Sequence, residues 1–453
     1  MALPSLIEIL PPAAPIRAEV TVPGSKSITN RALLLAAQAE GEVVLEGALW
    51  SEDTQVMVES LQQLGFMLNV QPDPKEAGNR TITVYGKGGQ VPRGGTAGQP
   101  LELFVGNAGT AARFLAAFVC LGQGAYRIHG VRRMHERPQA ALFAALRSLG
   151  YRVDTPNDKL PAVIHGGGPR VGSCEVSIAE SSQFASALML SSRHGPWDIR
   201  ITGENSEESP YVRMTSEMIR GFPASGHFQI EADASSGSYF VAANYLTEGI
   251  SGAGLMRTAA LTDSIPVRRW PTSNWQIDAR FPSVLERAVG FNRSELRSPR
   301  DPGSLASRAI SRAHDLGDSV MTMIVLSPFA ASPTEFTDLG RLRLQECERV
   351  AALRTELTKC GAKVVELGDT LTIYPSVLHG AEIETYNDHR MAMCFAVLGL
   401  KVPGIKLKNP SCVKKTFPNF FQKLAAPTPE GLGVTIRNAT SNRDLSPEEL
   451  FAE

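Results

Sequence analysis

Lysines, arginines, carboxylates and small polar residues in this chain gather at the first turns of strongly apolar runs. A helix start carries unpaired backbone N–H groups and a partial positive charge, so polar side chains there act together with the backbone on an anion. Six such junctions occur: GSKSITNRALLLAA from Gly24, GNAGTAARFLAAF from Gly106, SSQFASALML from Ser181, DASSGSYFVAANYL from Asp233, GDSVMTMIVLSPFA from Gly317 and NDHRMAMCFAVLGL from Asn387. Lys26 follows Gly24-Ser25, where a flexible ammonium can reach more than one anionic group; a solvated surface lysine is the plainer reading. Arg31 lies one turn beyond Ser27 on the same face. Asn107, Gly109 and Thr110 form a tight turn that lets backbone approach a ligand, or an ordinary helix cap, with Arg113 as a further cap. Ser181, Ser182 and Gln183 offer hydroxyls, an amide and N–H groups, or simply an N-cap. Asp318 reads as an N-cap aspartate. Glu346 and Arg349, three apart, share a helix face and read as an ion pair worth about 0.3 kcal/mol. Arg133 and Arg137 flank a Met-His-Glu turn, with Arg137 a candidate partner of Glu136. Six buried helices with such starts predict a repeated scaffold aimed at a shared anionic ligand.

The elements that must position these residues alternate. Apolar residues on nearly all sides of the six runs predict buried helices. Strand-like runs stand between them at 41–49, 80–86, 126–131, 197–203 and 362–375, and further helical patterns at 140–149 and 348–361, the latter with Val350, Leu353 and Leu357 on one stripe. This is an α/β or α+β chain. Composition predicts flexible surface loops at 86–100 and 297–308, and a partly disordered or surface extension from Pro427 onward. The 453 residues, 43% hydrophobic and 20% charged, suit two to three soluble domains. A net charge of −1 gives no bias toward nucleic acid or membrane, so affinity for an anion must come from local clustering. No run reaches the ~20 apolar residues of a membrane span, and the opening MALPSLIEILPPAAPIR lacks the basic leader of a signal peptide. Six cysteines without a CxxC pair, and scattered histidines, predict reduced thiols, a cytoplasmic location and no zinc.

Read together and in order, PGSKSITNRALLLAA, GNAGTAARFLAAF, RRMHERPQ, SSQFASALM, DASSGSYF, DSVMT, ECERV, TYNDHRMAMCF and KKTFPNFF resemble the enolpyruvyl transferases, in the branch acting on shikimate 3-phosphate, over about residues 5–423. That resemblance implies two similar globular domains, each of three βαβαββ-type units with buried parallel helices, and an active site in the interdomain cleft. The domains would be 23–231, carrying most shikimate-phosphate contacts, and 1–22 with 232–426, carrying the catalytic acids, followed by an extension at 427–453.

The reaction so implied joins shikimate 3-phosphate to phosphoenolpyruvate through a tetrahedral intermediate that releases phosphate. Two polyanions side by side need several fixed cations, an acid for carbon and a base for a hydroxyl. By resemblance, Lys26, Asp318, Glu346 and His389 are catalytic: Asp318 the base for the 5-hydroxyl, Glu346 the proton donor to the methylene carbon, His389 a helper in proton traffic or a core histidine. Lys26, Ser27, Arg31, Ser181, Ser182, Gln183, Ser209, Tyr211, Asp318 and Gln345 would hold shikimate 3-phosphate. Lys26, Asn107, Gly109, Arg133, Gln183, Arg349, Arg390 and Lys415 would hold phosphoenolpyruvate. Lys414 is the weaker lysine candidate. No cofactor or metal is implied, and a monomer is expected because one polypeptide can build the site.

The chain departs from the family pattern at Gln345, where a lysine is usual; at Arg341, where an asparagine is usual, so that a cation has moved rather than vanished; and at Glu208, where a serine is usual. A like charge ~4 Å from a phosphate costs about 4 kcal/mol at an effective dielectric of ~20, so Glu208 is expected to point away and Ser209 to substitute. Two alternatives remain. One is a sister transferase acting on UDP-N-acetylglucosamine, which normally has GSKN and a reactive loop cysteine; here Cys120 lies in an apolar run. The other is a binding paralogue without turnover.

Overall fold

Three consecutive leucines, Leu33, Leu34 and Leu35, are all fully buried in the helix Lys26–Ala37. Three successive residues cannot share one stripe of a 3.6-residue helix, so this helix is enclosed on every side. The computed structural model, which describes residues 3–203, 209–248, 264–289 and 309–452, repeats this arrangement along the chain. The helices Gly109–Phe118, Val320–Leu326 and His389–Gly399 are buried at every position from Thr110, Val320 and Met391 onward, and Ser182–Ser191 at all but two positions. Full burial of each Leu or Phe contributes about 1.5–3 kcal/mol, so these helices owe their place to packing rather than to propensity. The expected loop 297–308 and Glu208 lie outside the described residues.

The backbone divides into two units, Pro23–Glu231 and Met1–Val22 with Ala232–Glu453. In the first, the helices Lys26–Ala37, Gly109–Phe118 and Ser182–Ser191 pack on one another. A four-stranded sheet runs Gly226–Gln229, Glu42–Leu49, Asn79–Tyr85, Met67–Pro72, and a second runs Leu101–Phe104, Gln123–His129, Ala162–Gly167, Arg152–Asp154. A parallel pair, Gly172–Ser177 with Trp197–Thr202, completes the unit's strands. In both four-stranded sheets the first pairing is parallel and the other two antiparallel.

The other unit has the same strand pattern in Ile310–Ser311, Thr334–Thr337, Thr370–Ile373, Val364–Leu367. Its helices Ala234–Glu248, Val320–Leu326 and His389–Gly399 also pack on one another. The strand-like run 362–375 is a hairpin, because Leu367 pairs with Thr370 across a two-residue loop whose Gly368 has φ +57°, a conformation that suits glycine.

Two expectations drawn from composition need correction. The segment after Pro427 is not a disordered tail: Ile436–Asn438 pairs antiparallel with Leu6–Ile9, and Leu432, Val434, Ile436, Leu445 and Leu450 enter the core. Its few apolar residues alternate, which suffices when an existing sheet edge supplies the pairing. The glycine-rich loop 86–100 is mostly exposed but tethered, since Gly95 and Ala125 exchange backbone hydrogen bonds of 3.2 and 2.9 Å.

Candidate active site

In the Pro23–Glu231 unit two of the three buried helix starts lack a side-chain cap. The helices at Lys26 and Gly109 begin on Ser25 and Ala108, neither of which supplies a side-chain cap, so their first N–H groups remain uncommitted to one. Ser181 does cap its helix, accepting from the Gln183 N–H at 3.3 Å, and both Ser181 and Ser182 are buried. Lys26 Nζ rests 3.1 Å from Asp53, a buried acid in the first turn of the helix Glu52–Gln63. Arg31 is almost wholly buried and donates to Thr215 Oγ1 (2.8 Å), Ser186 Oγ (3.2 Å) and the Ser27 carbonyl (2.9 Å). It therefore ties the helix Lys26–Ala37 to the helices Ser182–Ser191 and Ser209–Gly221. Ser209 opens the helix Ser209–Gly221; the carbonyl of half-buried Tyr211 accepts from Thr215.

The Gly106–Thr110 turn, Gln183 and two arginines form one network. Gln183 accepts from Arg113 Nη1 at 2.7 Å and donates to Thr110 Oγ1 at 3.2 Å, which orients its amide. Arg113 is thus a bridge between helices and not a cap. Arg137, a sequence candidate for partnership with Glu136, instead donates to the Asn107 carbonyl at 3.1 Å; Glu136 is held by Arg133 at 2.9 Å. The Asn107 Oδ1 is buried with no hydrogen-bond partner among the described residues. A Cβ on Gly109 would stand 2.6 Å from Arg137 Nη2 and 2.7 Å from Arg113 Nη1, so only glycine leaves both guanidinium groups in place.

The other unit inverts this logic, because its helix starts are filled by the chain's own carboxylates. Asp233 accepts from the Ser236 N–H (2.7 Å), Glu348 from Ala351 (2.5 Å) and Asp388 from Arg390 (2.9 Å). Asp278 accepts from the N–H groups of Gly317 (2.8 Å) and Ser319 (3.1 Å). Asp318, read from sequence as an N-cap, is not one: the N-cap position of the helix Val320–Leu326 is Ser319, and Asp278 holds the N–H groups of Gly317 and Ser319 just before the helix.

Freed from capping, Asp318 faces cations. Arg312 and Arg390 each approach it at 3.2 Å, Arg349 at 3.9 Å, and Gln345 donates to it at 3.4 Å. Burial alone would raise its carboxyl, but the charges of Arg390, Arg349 and Arg312 outweigh burial and hold it well below the usual carboxylate range. Arg349, 1% exposed, is the hub: it contacts Glu346 at 2.8 Å, binds both oxygens of fully buried Asp388 at 2.7 and 3.2 Å, and donates to Gln345 Oε1. Burial works against its charge, yet Asp388, Glu346 and Asp318 prevail and strengthen the guanidinium's hold on its proton. Lys415 Nζ lies 3.1 Å from Glu346 Oε1. His389 is buried, with Nδ1 3.6 Å from Asp388. Burial pushes the Cys347 thiol up, so it stands as a neutral S–H 3.5 Å from Asp388.

Of the sequence-predicted residues, the structure brings Asp318, Gln345, Glu346, Arg349, Arg390 and Lys415 into one charged cluster, and Asn107, Gly109, Gln183 and Arg113 into another network. Sequence reasoning missed Asp53, Asp278 and Arg312. Arg312 places a further guanidinium on Asp318. No local spacing marks it, because the segment before Asp318 is irregular; Asp388, by contrast, stood inside the motif NDHR and needed only its buried partner.

Residues 10–424 match the family model for EPSP synthase, 3-phosphoshikimate 1-carboxyvinyltransferase. The chain belongs to the EPSP synthase family. It is 36% identical over 436 residues to the 3-phosphoshikimate 1-carboxyvinyltransferase of Trichormus variabilis, covering 90% of this chain and 96% of that one. It is 37% identical over 455 residues to that of Opitutus terrae, covering 94% and 98%. Its fold is similar to a solved EPSP synthase from Acinetobacter baumannii, with a TM-score of 0.69 at 20% identity over 95% of this chain and 99% of the other.

Proposed function

We propose that the protein transfers the enolpyruvyl group of phosphoenolpyruvate to the 5-hydroxyl of shikimate 3-phosphate, releasing phosphate, as a 3-phosphoshikimate 1-carboxyvinyltransferase of aromatic amino acid biosynthesis. The observation that carries this reading is the ring in which two carboxylates, Asp318 and Glu346, are shared among Arg312, Arg349, Arg390 and Lys415. Such a ring holds anionic groups of a ligand while keeping a base and an acid at fixed positions. Asp318 takes the proton of the 5-hydroxyl as oxygen attacks C2. Glu346 delivers a proton to C3, and the resulting carboxylate takes a proton back from that methyl group as the C2–O bond to phosphate breaks, which restores the double bond and leaves Glu346 protonated for the next turnover. Lys26, Ser27, Arg31, Ser181, Ser182, Gln183, Ser209 and Tyr211 hold shikimate 3-phosphate. Asn107, Gly109 and Arg133 join Arg349, Arg390 and Lys415 on phosphoenolpyruvate, with Arg133 exchanging Glu136 for the ligand.

The common strand pattern of the three four-stranded sheets supports the three-unit repeat proposed for each half of the chain. Among the described residues, no helix is long and apolar enough to cross a membrane. We assign the protein to the cytoplasm as a monomer; its mass in solution by light scattering tests the latter. The sister reaction on a UDP-sugar is disfavoured because Cys120 is fully buried in the turn Val119–Leu121 and burial pushes its thiol up, away from the reactive range.

Phosphate release from phosphoenolpyruvate, dependent on shikimate 3-phosphate, is the test. Release that needs both substrates and collapses in Lys26→Ala supports the assignment; no release by wild-type protein refutes it. Gly109→Ala should raise the KM for phosphoenolpyruvate about tenfold, since its Cβ must displace Arg137 and Arg113. An unchanged KM would separate this turn from the ligand. Gln345 stands where the family pattern has a lysine, yet its Oε1 accepts from Arg349, so in Gln345→Lys an ammonium meets a guanidinium and the KM for phosphoenolpyruvate should rise. A fall in KM would show instead that a charge is missing there.

A further inference from the structure

Asp278 lies 40 residues before Asp318 in the chain, within the short turn Ile277–Arg280, and is 5% exposed. Its Oδ1 accepts three hydrogen bonds, from the Gly317 N–H at 2.8 Å, the Ser319 N–H at 3.1 Å and the Ser319 hydroxyl at 2.5 Å. Its Oδ2 accepts from the Ser235 hydroxyl at the start of the helix Ala234–Glu248. Neighbouring Gln276 ties the same start, accepting from the Ala234 N–H at 3.0 Å and donating to the Ala232 carbonyl at 2.8 Å. A single buried aspartate thus clamps the first turns of two helices, which are also joined by the Ser238–Thr322 hydroxyl pair at 2.9 Å.

The two backbone groups that Asp278 holds flank Asp318. Fixing the N–H of Gly317 and that of Ser319 fixes the peptide planes near Asp318 and with them the direction of its Cα–Cβ bond. Asp318 does not fold back onto the backbone, the usual habit of an aspartate at a helix start, since the helix Val320–Leu326 has Ser319 at its N-cap. Its carboxylate is left to Arg312, Arg390, Arg349 and Gln345. Gly317 completes the fit, because a Cβ there would stand 3.1 Å from Asp278 Oδ2 and 2.9 Å from Ile277 Cγ2.

We propose that Asp278 is a positioning residue for Asp318: it fixes the backbone on both sides of Asp318 so that this carboxylate is held toward the substrate hydroxyl. This rests on the assignment of Asp318 as base in the function above. A base displaced by ~1 Å loses about 10²-fold in rate.

The experiment is steady-state phosphate release by wild type, Asp278→Ala, Asp278→Asn and Gly317→Ala, with folding checked by thermal denaturation. Asp278→Ala should lower kcat about 30- to 100-fold while the KM for each substrate moves less than about fivefold. Asp278→Asn retains an oxygen for the three Oδ1 bonds, and its amide donates to Ser235, which turns to accept; kcat should recover to within about tenfold of wild type. Gly317→Ala pushes on the same carboxylate by steric contact alone and should reproduce the loss of kcat, which keeps the test open if Asp278→Ala does not fold. A kcat within threefold of wild type in both Asp278→Ala and Gly317→Ala, a KM that rises as far as kcat falls, or an Asn variant no better than Ala would each overturn the positioning role. Wild-type protein that releases no phosphate would instead overturn the function itself, so the two failures are distinct.

Discussion

Asp318→Asn is expected to lower kcat for phosphate release by about 10² to 10⁴-fold with little change in either KM, the range lost when a positioned general base is removed. The substitution keeps size and one acceptor oxygen but no longer takes a proton. It also removes the negative charge on which Arg312, Arg390 and Arg349 converge, so about 3 kcal/mol of stability should go with it at pH 7. The pH dependence has a definite sign. The carboxyl is held below its unfolded value, near ~3.9, so its contribution is complete above that value and is lost only as pH falls below it toward the folded value. The stability difference between wild type and Asp318→Asn, followed by urea denaturation, should therefore be flat from pH 7 to about 5 and shrink below about pH 4. A difference that already shrinks between pH 7 and 6 would mean that the arginines do not hold this carboxylate. A kcat within threefold of wild type would remove Asp318 from proton transfer.

The second large effect concerns Arg349. Its guanidinium is the partner of Asp388, which is fully buried, and of Glu346, so Arg349→Ala leaves a buried carboxylate uncompensated. Breaking a buried pair from one side costs about 3–5 kcal/mol. For a unit of this size that corresponds to a drop in Tm of roughly 10 °C. Arg349→Lys keeps the charge, but one ammonium cannot span both Asp388 oxygens, Glu346 and Gln345, so an intermediate Tm is expected. Calorimetry decides: a Tm within about 2 °C of wild type for Arg349→Ala would show that Asp388 finds another partner or takes up a proton. Activity should be lost in both variants, since the same guanidinium is proposed to meet phosphoenolpyruvate.

Much of the fold was legible because burial writes a periodicity. The run Leu33-Leu34-Leu35 cannot sit on a water-facing helix, and the stripe Val350, Leu353, Leu357 emerged as the buried face of the helix Arg349–Lys359. The chain after Pro427 was misread for the complementary reason. Val434 and Ile436 are too few to signal a strand alone, and only the edge of Leu6–Ile9, more than 400 residues earlier, makes them one.

The candidate site divides along the same line. Residue type and local spacing alone placed Lys26, the Asn107–Thr110 turn, Ser181 to Gln183, Glu346 with Arg349, and Arg390 at helix starts or on shared faces, because each of those relations spans a few residues of one element. Tertiary structure alone decided which charge meets which. It set Arg137 on Asn107, brought Arg312 and Arg390 to Asp318, and put Asp278 on the backbone beside Asp318. The reason is physical: hydrophobic periodicity and capping preference are properties of neighbours in the chain. The pairing of buried charges is settled by which surfaces the packed helices bring within ~4 Å, a distance at which a wrong partner costs several kcal/mol.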